Sequence, residues 1–106
     1  MKLLTDVLKG NFQEIGLQED VADPIVVARF FNASGPGLWL ATSYDPETNM
    51  LYGFVSIFGD GSDEWGYFSL EELEDSPHPF VKIVRDTRFT PRPFSKAIKE
   101  VCHERS

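Results

Sequence analysis

Between residues 59 and 75 the chain reads GDGSDEWGYFSLEELED, where Asp60, Asp63 and Glu64 stand beside Trp65 and Tyr67 ahead of a burst of glutamates. Carboxylates spaced among glycines are the ligand pattern of a calcium loop, so that chemistry is weighed first. Counted from Asp60, the loop puts Ser62, Glu64 and Glu71 at ligand positions 3, 5 and 12, but Trp65 takes position 6, where the sharp turn needs glycine. Counted from Gly61, Gly66 and Glu72 reach positions 6 and 12, while Gly61 and Trp65 fall on two ligand positions. Neither register works, and the strand-like MLYGFVSIF that precedes the run is not the entering helix of such a site. Ser69 and Glu72 are explained instead by a capping box, with Phe68 and Leu73 at the two positions of its hydrophobic staple. A hydrolytic carboxylate pair could be assembled from Asp60, Asp63 and Glu64, but paired acids arise by chance in so acidic a stretch and nothing marks these as catalytic. The remaining chemistry is contact: Asp60, Asp63, Glu64, Trp65 and Tyr67 are the candidate binding residues, since Trp and Tyr offer large area at low entropic cost. The more frequent fate of a loop tryptophan is to fold back over the sheet.

Other reactive side chains are sparse. Cys102 and His103 are adjacent, but consecutive helical side chains point about 100° apart and do not form a nucleophile and its base. Cys102 lies on an apolar stripe and reads as core, and His78, between Pro77 and Pro79, reads as a loop histidine. Two histidines and one cysteine supply no zinc spacing, and no phosphate-binding glycine loop, G-x-S-x-G or H-E-x-x-H occurs. No catalytic residue, metal or cofactor is therefore expected. Arg85, Arg88 and Arg92, with Phe89 among them, form a secondary basic cluster of the composition used against nucleic acid.

The charge distribution opposes that use. The formal net charge is −7, residues 45 to 75 hold nine acids and no Lys or Arg, and residues 76 to 106 hold seven Lys or Arg against three acids. Such a field repels phosphate backbones and attracts basic partners, so nucleic acid is an unfavourable ligand and a protein with a basic surface the expected one. Alternatively the two segments pack together and neutralise each other. A length of 106 residues suits a single domain over 1–106, and 42% hydrophobic with 25% charged residues describes a globular chain rich in Phe. A lone cysteine cannot make an internal disulfide, and neither a signal-peptide-length apolar stretch nor a membrane span is present, so the expected setting is cytoplasmic.

These residues need elements to hold them. Thr5 can cap a helix that carries Leu8, Phe12 and Ile15 on one face and stops at Gly16. Pro24 introduces a strand over residues 25–31, NASGPG turns, and LWLATSY returns as its hairpin partner. DPETN is a turn, and MLYGFVSIF, apolar on both faces, predicts a strand that is central or covered on both sides. A short helix runs from Leu70 to about Asp75, FVKIVRD is a fourth strand, and the spacing of Phe94, Ala97, Ile98, Val101 and Cys102 predicts a closing helix.

The phrases WLATSYDPE, LYGF, EWGYFSLEELE, VRDTRF and RPFSKAI, in this order over essentially the whole chain, resemble a family of small bacterial proteins, often encoded on plasmids and other mobile elements, that is catalogued as a domain of unknown function. The resemblance carries no catalytic residues with it. The family phrase is similar to Glu-Leu-Gly-Tyr where this chain has Glu64, Trp65, Gly66 and Tyr67, which implies that an apolar residue suffices at position 65. A Thr-Glu pair is usual where Thr42 is followed here by Ser43.

The expected fold is α+β: an antiparallel sheet of about four strands, two flanking helices and one short helix. The expected function is that of a non-enzymatic accessory protein of a mobile element, acting through protein contacts of an acidic face. A small-ligand module with an aromatic-lined pocket and a carboxylate-dependent hydrolase are the alternatives.

Overall fold

The computed structural model describes residues 3–35, 37–56, 63–74 and 82–105, with side chains through Glu100. Asp60, His78 and the side chains of Val101, Cys102 and His103 lie outside the described residues, as do the end of the expected strand MLYGFVSIF at 57–58, the start of the expected strand FVKIVRD at 80–81 and the expected last helical residue, Asp75.

Thr5 starts the first helix as its chemistry requires. Its Oγ1 accepts the Leu8 amide at 3.2 Å, Asp6 stands in the first turn near the positive end of the dipole, and α1 runs Asp6–Ile15. Gly16 ends it at φ 82°, which glycine adopts without strain, and donates its N–H to the Phe12 carbonyl. Phe12 is buried and Leu8 packs beside it, whereas Ile15 lies at the exposed margin of the face it was expected to extend.

The fold is built around one antiparallel sheet. β2 (Ala28–Asn32), β3 (Leu38–Asp45), β4 (Met50–Ser56) and β5 (Glu64–Ser69) follow as a meander, and β6 (Ile83–Arg85) returns to pair with β2 at the far edge, in the order β5-β4-β3-β2-β6. A two-stranded ribbon joins β1 (Ile25–Val26) to β7 (Arg92–Pro93). The expected strand over 25–31 thus divides at Val27, whose N–H reaches the Ala41 carbonyl at 2.9 Å as the chain leaves the ribbon for the main sheet. α2 (Leu70–Glu74) follows β5 directly, and α3 (Phe94–Arg105) follows β7.

The α+β class holds, with two differences of detail. The sheet has five strands, because EWGYFS, expected as a loop, is an edge strand. Its aromatics have high β-propensity and find aromatic partners in register on β4, which outweighs the cost of Gly66. The strand buried on both faces is β3, not β4: six consecutive residues, Leu38 to Ser43, are buried in the centre of the sheet, whereas β4 alternates.

Alternation sends side chains to two layers. Toward α1 and α2 point Phe30, Trp39 and Leu51, packed with Leu3, Leu4 and Phe12; toward α3 point Val26, Leu38 and Leu40, packed on Ala97. Complete burial of a side chain such as Phe30 or Leu40 contributes about 1.5–3 kcal/mol. β3 carries a bulge between Ala41 and Ser43, and β4 runs so close to it there that a Cβ at Gly53 would lie 2.0 Å from the Leu40 carbonyl oxygen.

Candidate functional site

The cross-strand pairs of β4 and β5 build an aromatic row. Tyr52 stands opposite Tyr67 and Phe54 opposite Trp65, all four on the face of the sheet that α3 covers further in. Ring centroids are 4.9 Å apart for Tyr52 and Tyr67, 5.9 Å for Phe54 and Trp65, and 6.0 Å for Tyr52 and Trp65. Phe94, the first residue of α3, closes the inner end by meeting Trp65 edge-on at 4.7 Å and Phe54 at 5.2 Å. Because α3 begins there, the row emerges from beneath it: Trp65 is 37% exposed and Tyr67 65%. Trp65 therefore does both things weighed from the sequence, packing its inner part on the sheet and leaving its outer part in water.

Residues 17–24 face this row as a wall, and two side chains hold the wall in place. Gln18, 5% exposed, donates through Nε2 to the carbonyls of Ile25 (2.8 Å) and Thr42 (2.6 Å) and accepts the Ile25 amide at Oε1 (2.8 Å). Its own N–H reaches Ser43 Oγ at 2.8 Å, so one residue satisfies the Thr42 carbonyl at the β3 bulge and both backbone groups of Ile25. Asp23 caps a helix remote in sequence: its carboxylate accepts the Ser95 N–H at 2.9 Å and the Ser95 hydroxyl at 2.8 Å, placing negative charge at the start of α3.

Two clefts lie between wall and row, of about 330 and 390 Å3, and share Glu19 and Tyr52. Leu17 and Tyr67 line the first, Val21 and Trp65 the second, and Asp45 adds a second carboxylate at the first. Tyr44, beside Asp45, donates its hydroxyl to Asn49 Oδ1 at 2.6 Å. Burial raises the Tyr44 phenol above its ordinary value, and the Asp45 and Glu74 carboxylates add to the effect. The two clefts thus bring together aromatic faces, exposed aliphatic side chains and a rim of acids. Among the described residues no three His, Cys, Asp or Glu are grouped as metal ligands.

Of the residues singled out in the sequence, the structure brings together Trp65 and Tyr67. Glu64 is exposed on the opposite face of β5, and Asp63 is half-buried with Oδ1 making no hydrogen bond among the described residues. Leu17, Glu19, Val21 and Tyr52 were missed; the wall's trace in the sequence is Leu17 and Val21 within the acidic stretch LQEDVADP, and Tyr52 is one aromatic of the strand MLYGFVSIF. Ser69 caps α2 as expected, accepting the Glu72 amide at 3.3 Å, and Phe68 and Leu73 both pack on the core.

The basic cluster is engaged near its own segment. Arg92 makes two bonds to the Glu100 carboxylate at 2.6 and 2.7 Å, donates to both Thr90 oxygens and lies 4.6 Å over the Phe89 ring. Arg85 donates to the Leu3 carbonyl, Arg88 is exposed, and Asp86 pairs with Arg29 at 3.1 Å. Two ion pairs are thus formed with acids outside the middle of the chain, Arg29 with Asp86 and Arg92 with Glu100.

No curated protein and no solved structure matches this chain. A family model does, over residues 2–103, and so a groove walled by Gln18's loop and floored by β4 and β5 lies within a member of the family described as "Protein of unknown function (DUF2958)".

Proposed function

We propose that this protein is a non-enzymatic binding module that docks a partner protein with a basic surface in the groove between residues 17–24 and the β4–β5 aromatic row. One observation carries the reading: of six large hydrophobic side chains exposed among the described residues, four, Leu17, Val21, Trp65 and Tyr67, line these two adjoining clefts. Clustered apolar exposure with aromatic anchors and a polar rim is the anatomy of a protein contact site. Glu19 and Asp45 at the rim, with an overall charge of −7, select and steer a basic partner. The same charge disfavours nucleic acid. Work as a cytoplasmic accessory protein of a bacterial mobile element completes the proposal; the motifs EWGYFSLEELE and VRDTRF and the lone cysteine support it. Among the described residues no helix is long and apolar enough to cross a membrane.

The test is a photo-reactive phenylalanine placed at position 67 or, as control, at the exposed Val7 of α1, followed by irradiation in the source cell. One identified protein should be joined at 67 and not at 7, and, once purified, should bind with an affinity that falls with salt and at least tenfold in Trp65→Ala/Tyr67→Ala. Identical products at both positions, or only a small-molecule adduct at 67, would overturn the proposal.

A further inference from the structure

β5 ends the sheet on its side, and among the described residues no backbone group pairs with its outer edge. Its two faces both carry clefts. Trp65 and Tyr67 border the groove already described; on the other face Glu64, Gly66 and Phe68 border a cleft of about 350 Å3, closed by Trp39, Val55 and Glu72. Tyr67 borders the clefts of both faces, so the strand edge lies between them.

Gly66 lines this second cleft, and no contact among the described residues accounts for a glycine there. Its ladder partner Gly53 must lack a side chain, because a Cβ there would strike the Leu40 carbonyl. Among the described residues a Cβ at Gly66 would meet nothing within 4 Å, and its φ is not in the left-handed region. Glycine inside a strand weakens it, and one that no bulge, turn or internal contact requires is the type found where a ligand or another backbone approaches closely.

We infer that β5 receives an extended segment of the partner protein as a sixth strand, with Lys or Arg at alternate positions; the inference rests on the docking reading above. Backbone pairing would satisfy the open edge, and the period of two would divide the segment's side chains between the faces. The basic row falls over Gly66 toward Glu64 and Glu72, both exposed, and the other row falls on Trp65 and Tyr67. Charge complementarity selects this occupant: residues 45 to 75 contain nine acids and no Lys or Arg, so a second copy of the chain would set acid against acid.

The probe is the blocked peptide Ac-Lys-Val-Lys-Val-Lys-Val-Lys-amide, compared with the same peptide carrying proline for its first two valines, which keeps the charge but cannot pair its backbone. The alternating peptide should slow hydrogen exchange at every second amide of β5 at least tenfold. The proline peptide should bind at least tenfold more weakly and slow none. Gly66→Val should keep or raise the thermal midpoint and lose at least tenfold in peptide affinity. Binding without slowed β5 amides, equal binding of the two peptides, unchanged affinity in Gly66→Val or no binding at all would each overturn strand addition. Slowing in the protein alone that grows with its concentration would assign the edge to a second copy instead. Peptide bound without slowed amides leaves the groove reading standing, whereas failure of the position-67 crosslink removes the groove reading itself.

Discussion

Replacing Gln18 with alanine tests whether one amide holds the wall of the groove. The substitution removes three side-chain hydrogen bonds, to Ile25 N, Ile25 O and Thr42 O, at a residue that is 5% exposed. Leaving a buried backbone group without a partner costs about 1–3 kcal/mol. The bond to the Thr42 carbonyl is buried and carries that cost in full; those at Ile25 are part-buried and recover some of it from water. The sum is about 3 kcal/mol, a large share of the roughly 5–15 kcal/mol that a domain of this size possesses. Urea unfolding of Gln18→Ala should show that loss at an unchanged m-value, with a thermal midpoint lower by roughly 10–20 °C. Gln18→Glu supplies a control of the same shape. Two backbone carbonyls face its head group, so they and burial raise the carboxyl's folded pKa above its unfolded value. By linkage its stability is greatest below the unfolded pKa and is lost as pH rises through the folded one. A cost under about 1 kcal/mol for Gln18→Ala, or a Gln18→Glu variant equally stable at acid and neutral pH, would refute the role given to this residue.

Gly53→Ala should cost roughly 3 kcal/mol or leave the protein insoluble, because its Cβ meets backbone that cannot move aside; Gly66→Ala, measured beside it by denaturant titration, should stabilise by roughly 0.5–1 kcal/mol. Ser69→Ala should cost about 1 kcal/mol and speed amide exchange through Leu70–Glu74 by removing the cap on the Glu72 amide. Tyr44→Phe should cost about 1 kcal/mol near neutral pH. Since the wild-type phenol has a raised folded pKa, its contribution is full below the unfolded value and is lost as pH rises through the folded one, so alkaline unfolding should be steeper in the wild type than in the variant.

What could be read from the chain was what neighbours in sequence decide. Thr5, Gly16 and Ser69 cap or stop helices through groups within four residues of themselves, and all three do so in the structure. β5 was hidden because its evidence lies on another strand: Trp65 and Tyr67 become strand residues by standing opposite Phe54 and Tyr52, while the local sequence offers glycines and acids. Burial on both faces was expected of MLYGFVSIF from its apolarity, yet position in the sheet decides burial, and the centre went to β3. The groove was half legible. Trp65 and Tyr67 announce themselves by type, but Glu19 and Val21 acquire meaning only through Gln18 and Asp23, whose partners Thr42 and Ser95 are remote in sequence.

The wall divides its labour between side chains in a way that bears on how such a protein can change. Gln18 and Asp23 anchor residues 17–24 through backbone groups and the start of α3, while Asp20, Val21 and Ala22 are exposed between the anchors. Substitutions at exposed positions usually alter stability by no more than about 0.5 kcal/mol. On the docking reading proposed above, recognition and folding therefore fall to different residues of one segment. Successive variants could retarget the groove toward new partners by rewriting the positions between Gln18 and Asp23, each change starting from a scaffold as stable as the last, which is the arrangement by which loops on a rigid frame diversify.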